Sequence, residues 1–129
     1  MKPYKSRRSQ FRYEIKNGKC VCVISGIPIN EIKQLSLEHW VPKCRWDGIE
    51  VTEPYNIYPA HKIINSLKGS MLPCEFWINR EKIYKRAIQH YNLKRDEKRI
   101  VQAALNFIPY YKLNPCDLCF LYESCYESR

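Results

Sequence analysis

Two stretches decide how this chain is read: Leu37-Glu38-His39-Trp40-Val41-Pro42, and Tyr55-Asn56-Ile57-Tyr58-Pro59-Ala60-His61-Lys62-Ile63-Ile64-Asn65-Ser66-Leu67-Lys68-Gly69. Residues 35–40 (LSLEHW) form a β candidate that Pro42 ends. Residues 58–68 read as a helix, because Ala60, Ile64 and Leu67 recur on one face at helical spacing. Pro59 fits there only as a first-turn residue, and Gly69 stops the helix. Residues 43–55, with Gly48 and Pro54, read as the connecting loop.

The side chains on these two pieces are those that metal-assisted hydrolysis of a phosphodiester uses. Deprotonating water calls for a base of near-neutral pKa, which suits His39. A Mg²⁺-like ion takes hard oxygen ligands, which Glu38 and the Asn65 carbonyl supply. Positive charge near the phosphate suits Lys68. Asn65 and Lys68 are three apart, so a helix carries both on one face.

Outward from this centre, residues 1–10 (MKPYKSRRSQ) read as a mobile basic arm. Residues 11–16 form a short strand candidate closed by Asn17-Gly18, a hairpin signal, and residues 19–24 (KCVCVI) return as its partner. Residues 80–92 and 96–108 are amphipathic helices. Ile83, Ala87 and Ile88 mark the first; Ile100, Ala103, Ala104 and Phe107 mark the second, which Pro109 ends. The expected organisation is a basic arm and first strand over 1–18, a core over 19–75, and a helical extension with a Cys-rich tail over 76–129.

Composition bounds the partners. The 129 residues suit one domain, and 45% apolar with 13% aromatic residues excludes a disordered chain. No apolar run approaches the roughly 18 residues that span a bilayer, and no apolar core follows the basic N-terminus to make a secretory signal. The net charge of +9 is concentrated. Residues 1–19 hold seven Lys/Arg against one Glu, and residues 80–99 hold eight against three acids. Two such segments suit a polyanion, with Lys2, Lys5, Arg7, Arg8, Arg80, Lys82, Lys85 and Arg86 as candidate phosphate contacts. The plainer reading is a basic, solvated surface, to which His90 also belongs.

The order Glu-His-x-x-Pro, then Asn56, Asn65 nine positions later and Lys68 three further on, resembles the HNH nuclease family. It is most similar to the variant whose motif ends in Asn, as in the HNH domains of CRISPR effector nucleases. The resemblance covers about residues 20–70. It implies an α+β fold whose core is two antiparallel strands and a helix around one metal ion, the ββα-metal fold. An N-terminal hairpin strand and a C-terminal helical extension would flank it. It implies a DNA endonuclease in which His39 is the general base, Glu38 and Asn65 ligate Mg²⁺ or Mn²⁺, Asn56 braces the loop and orients the base, and Lys68 lies near the phosphate or stabilises the site. The chain departs from the pattern at Glu38, where the family usually has Asp. It also departs at the structural-zinc positions, which here read Cys22-Val23-Ile24-Ser25 and His61-Lys62-Ile63-Ile64 and keep two of four ligands. Ile64 then supplies an apolar contact. His61 is either a relic of that site packed beside Cys22 or a further metal or phosphate contact.

Seven cysteines, an odd number without a signal peptide, point to a reducing compartment such as the cytoplasm. Cys116, Cys119 and Cys125 have metal-like spacing, with a fourth ligand available from Cys74, Cys44 or the Cys20/Cys22 strand. Zinc is the first candidate and an iron–sulfur cluster the second, while simple apolar packing with Leu118, Phe120 and Leu121 is the alternative. Three functions follow: a DNA endonuclease, an HNH-like module that binds nucleic acid without cutting, and a structural zinc protein.

Overall fold

The computed structural model describes residues 6–42, 44 and 56–119. These residues form a mixed α+β fold with four helices and one two-stranded antiparallel sheet. The order is α1 (Arg7–Lys16), β1 (Leu35–His39), β2 (Ile57–His61), α2 (Lys62–Lys68), α3 (Pro73–His90) and α4 (Arg95–Phe107). None of the helices among the described residues is long and apolar enough to cross a membrane.

The strand expected over residues 11–16 is a helix. Ser6 caps α1 by accepting from the Ser9 N–H at 3.2 Å. Asn17-Gly18, expected as a hairpin turn, is the helix C-cap. Gly18 takes φ 67°, its N–H reaches the Ile15 carbonyl, and the Lys19 N–H reaches the Glu14 carbonyl at 2.8 Å, the two bonds of a Schellman motif. Alternation alone puts Phe11, Tyr13 and Ile15 on one strand face. The helix instead buries Phe11 and Ile15, four apart, and leaves Tyr13 55% exposed. Burying those two side chains contributes about 3–6 kcal/mol, far more than a local turn preference.

The expected return strand over 19–24 therefore has a different partner. It closes on the segment after it: the Cys22 N–H donates to the Ile27 carbonyl, the Ile29 N–H to the Cys20 carbonyl, and Val21 bridges Pro28. Val23 also donates its N–H to the Pro59 carbonyl, which docks this narrow loop on β2.

β1 is the expected strand. The first turn of the expected 58–68 helix is instead β2, paired with β1 from Leu35↔His61 to His39↔Ile57. Pro59 has no N–H to give a ladder, but β2 offers it an edge position, and Tyr58 before it is biased to extended backbone. The helix starts only at Lys62 and ends at Gly69, as expected, with φ 53°. α4 matches its expected span within a residue. α3 starts seven residues before the expected 80, with Pro73 in its first turn and the Glu75 carboxylate accepting the Leu72 N–H at 2.6 Å. The run Phe76-Trp77-Ile78 masks this start, because Ile78 is 78% exposed on a helix whose buried residues are Pro73, Phe76, Tyr84 and Ala87.

One core draws on every helix and both strands, including Phe11, Ile24, Leu35, Trp40, Ile64, Phe76, Tyr84 and Val101. α2 packs on β1, β2, α3 and α4, and it buries Ile64 and Lys68. The chain after α4 returns to the 20s loop: the Tyr111 hydroxyl donates to the Val23 carbonyl at 2.6 Å.

That closure depends on Gly26, at φ +78°. A Cβ there would lie 2.7 Å from the Tyr111 ring and 2.9 Å from the Phe107 ring. Gly26→Ala is expected to cost about 3 kcal/mol through overpacking and left-handed backbone strain. A urea melt should show a lower midpoint at unchanged slope. An unmoved midpoint would mean that the loop swings clear of α4.

Candidate active site

β1 directs Ser36 and Glu38 to one face, against α2. Asn65 and Lys68 come from the facing side of α2, three residues apart. Asn65 Nδ2 donates to Ser36 Oγ at 3.0 Å, and that hydroxyl donates to the Ala60 carbonyl at 3.0 Å. Lys68 Nζ donates to Glu38 Oε1 at 3.3 Å and to the Trp40 carbonyl at 3.1 Å, and lies 5.9 Å from the Trp40 ring centroid. The structure thus brings Glu38, Asn65 and Lys68 to one seam. Ser36 belongs to it too; the two-residue alternation through Glu38 was the signal that could have found it.

The Glu38–Lys68 end of this seam is closed to solvent, whereas Ser36 and Asn65 are half-buried. Glu38 is 3% exposed and Lys68 1%. Burial raises the Glu38 pKa, opposed by the Lys68 charge, and burial lowers the Lys68 pKa, opposed by Glu38. Both groups are pushed toward neutrality, because desolvation outweighs their attraction. Lys68, expected either at the phosphate or as a stabiliser, is placed as an internal brace.

His39 is the last residue of β1, half-buried, and strand alternation sends it to the face opposite Glu38. The backbone that follows it is held by Asn56. The Trp40 N–H donates to the Asn56 carbonyl, and the Asn56 side chain pairs with both polar backbone groups of Val41, accepting at 2.9 Å and donating at 2.8 Å. Asn56 is itself buried, so it clamps the exit from β1. Trp40 is anchored beyond it, with Nε1 donating to the Pro115 carbonyl at 3.0 Å and its ring edge-on to Tyr58.

The residues fit a divalent ion in one respect. Glu38 Oε2 is buried without a hydrogen-bond partner among the described residues, so one hard oxygen stands available on the seam that Asn65 faces. His61 lies elsewhere. It is buried at the end of β2, its N–H donates to Cys22 Sγ at 3.4 Å, and its Nδ1 has no partner among the described residues. Burial pulls its pKa down to about 4, opposed by a hydrogen bond to the Pro28 backbone. Its backbone meets Cys22, and Ile64 is fully buried nearby in sequence.

Among the described residues no three His, Cys, Asp or Glu side chains gather as metal ligands. Cys74, Cys116 and Cys119 are each half-buried, Cys44 is exposed, and Cys125 lies outside the described residues. Of the candidate phosphate contacts, Lys2 and Lys5 also lie outside them. Arg7 turns inward, donating to the Ile57 carbonyl at 2.8 Å and stacking on Phe11. Arg80 folds onto its own helix, donating to the Trp77 carbonyl at 2.7 Å and covering the Trp77 ring at 4.1 Å. Arg8, Lys82, Lys85 and Arg86 are exposed; Lys85 pairs with Glu81 at 3.0 Å. Lys82, Lys85, Arg86 and His90 line a shallow groove along α3. No protein-family model matches the chain, and neither a curated protein nor a solved structure matches it.

Two predictions test the energetics. Lys68→Met alone leaves a buried carboxylate uncompensated and should destabilise the fold by about 3–5 kcal/mol, whereas adding Glu38→Leu should recover most of that loss. Chemical denaturation of both variants reads it; equal stability of the single and double variants would show that the pair is not coupled. His61 stays neutral in the fold while its unfolded form takes a proton near pH 6.5. Its stabilisation is therefore complete above pH 6.5 and is lost as pH falls toward about 4. The loss amounts to about 3 kcal/mol. His61→Leu should be flatter than wild type by that amount across the window, measured by denaturation at each pH. Parallel curves would remove His61 from the acid response.

Proposed function

We propose that this protein is a metal-dependent DNA endonuclease that hydrolyses phosphodiester bonds by a one-metal HNH mechanism. The observation that carries the reading is the seam between β1 and α2. There a buried carboxylate whose second oxygen has no partner among the described residues, an Asn and a Lys meet in a β1–β2–α2 succession, beside a His at the strand end. The motif order along the chain supports it, as does the basic exposed surface of α3.

In this reading Glu38 Oε2 and the Asn65 carbonyl oxygen hold Mg²⁺ or Mn²⁺, which supplies Lewis-acid stabilisation of the phosphate charge. His39 takes a proton from water, and the resulting hydroxide attacks phosphorus. The P–O bond to the leaving oxygen breaks, and that oxygen gains a proton from solvent. Asn56 holds the Trp40-Val41 backbone so that the His39 backbone is fixed at its exit. Lys68 opposes the burial that favours a neutral Glu38, and it orients the carboxylate. Ser36 orients the Asn65 amide, which leaves the carbonyl oxygen as the free acceptor of that side chain. The cysteine tail takes no step here; a structural zinc at Cys74, Cys116, Cys119 and Cys125 would act through stability alone.

The closed Glu38–Lys68 pair and the placement of His39 on the strand face opposite Glu38 favour a second reading, a module of this fold that binds DNA without cutting it. Plasmid nicking with Mg²⁺ or Mn²⁺ separates the two. The endonuclease should cut, EDTA should abolish cutting, and His39→Ala should lose about 10²–10⁴ in rate while keeping DNA affinity. No nicking by wild type under either metal, with DNA still bound, would establish the binding module. Near wild-type cutting by His39→Ala would remove His39 from the mechanism.

A further inference from the structure

α1 carries a row of cations that the strand expectation concealed. Arg8, Arg12 and Lys16 are spaced four apart and all three are exposed. On a helix, four residues advance by 400°, so the three side chains form one shallow stripe. They rise about 6 Å from one to the next, about 12 Å in all. Lys19, also exposed, continues the charge beyond the Schellman turn. The only acid on the helix, Glu14, sits on another face, half-buried, and accepts from Gln10 Nε2 at 3.2 Å. Among the described residues no carboxylate pairs with Arg8, Arg12 or Lys16.

The stripe is held rigidly, and its position is set by the site. Phe11 and Ile15 bury the face of α1 that borders the stripe, and both ends of the helix are capped. Arg7, next to Arg8, donates to the Ile57 carbonyl, and Ile57 is the register partner of His39. The first turn of α1 therefore abuts the end of the strand pair that carries His39, and the stripe leads away from it. A fixed row of uncompensated cations starting there suits a chain of regularly spaced anions better than a single one.

We propose that Arg8, Arg12 and Lys16 form a DNA-backbone track that takes phosphates flanking the bond presented at His39. The choice of DNA as occupant rests on the function proposed above. The track is separate from the α3 groove. It makes the substrate a polymer that continues past the reacting phosphate on the α1 side. Contacts of this kind position the duplex without reading sequence.

The test measures binding and needs no cleavage. A labelled DNA duplex is titrated with full-length protein in EDTA over a salt series, by fluorescence anisotropy. The variants are Arg8→Ala/Arg12→Ala/Lys16→Ala and the charge-preserving Arg8→Lys/Arg12→Lys. Each phosphate neutralised contributes about 0.9 to the slope of log affinity against log salt, so the Ala variant should lose about 2.7 from the wild-type slope. The Lys variant should keep it, and thermal melts of both should match wild type, since all three sites are exposed. An unchanged slope in the Ala variant overturns the track, as does a wild type that does not bind the duplex. So does tighter wild-type binding to vesicles of anionic and zwitterionic phospholipid at matched salt. Loss of slope in a protein that never nicks plasmid sustains the track while removing the endonuclease reading. Normal nicking with an unchanged slope does the reverse.

Discussion

The Lys68 ammonium is the interaction on which the rest of this structure turns. It is buried at the end of α2 and divided between the Glu38 carboxylate and the Trp40 carbonyl. Each acceptor lies on a different side of His39, so a single charge fixes the backbone before and after the strand end. Desolvating an ammonium and a carboxylate costs several kcal/mol each, and one contact at 3.3 Å does not offset that. The surrounding fold must therefore supply the difference. It does so through Trp40, whose ring lies beside the ammonium, contacts Tyr58 edge-on, and hydrogen-bonds Pro115. The C-terminal turn, β1, β2 and α2 are thereby made to depend on one another.

The same seam keeps the Glu38 carboxylate dry, and its second oxygen has no hydrogen-bond partner among the described residues. Asn56 adds rigidity at the same point. A side-chain amide that matches both backbone groups of Val41 continues the strand pairing where the strands themselves end. The strand end carrying His39 is thus clamped from β2, braced from α2, and bordered by α1 through Arg7.

His61 and Cys22 mark a second, simpler use of buried polarity. Their contact joins the 20s loop to the start of α2, and burial keeps the imidazole neutral. Ile64, three residues on from His61, is fully buried and joins the apolar core.

Much of the candidate site's local geometry was legible in the order of residues, because spacing in sequence is spacing on an element once its type is known. Asn65 and Lys68 share a helix face by arithmetic, Gly69 ends that helix by its tolerance of positive φ, and the 96–108 periodicity shows α4 almost to the residue. The α+β character and the strand bearing Glu38 and His39 were equally local properties. What tertiary structure decided were the choices that local patterns leave balanced. Residues 11–16 suit strand or helix alike, and the buried surface offered to Phe11 and Ile15 selects the helix, which in turn creates the Arg8–Arg12–Lys16 stripe. Residues 57–61 become a strand because β1 presents an unpaired edge to them, a partner more than fifteen residues away that no periodicity reports. The inward turns of Arg7, Arg80 and Lys68 belong to the same class. A basic residue's charge is written in the sequence, but whether it meets solvent or a carbonyl depends on what long-range packing leaves beside it.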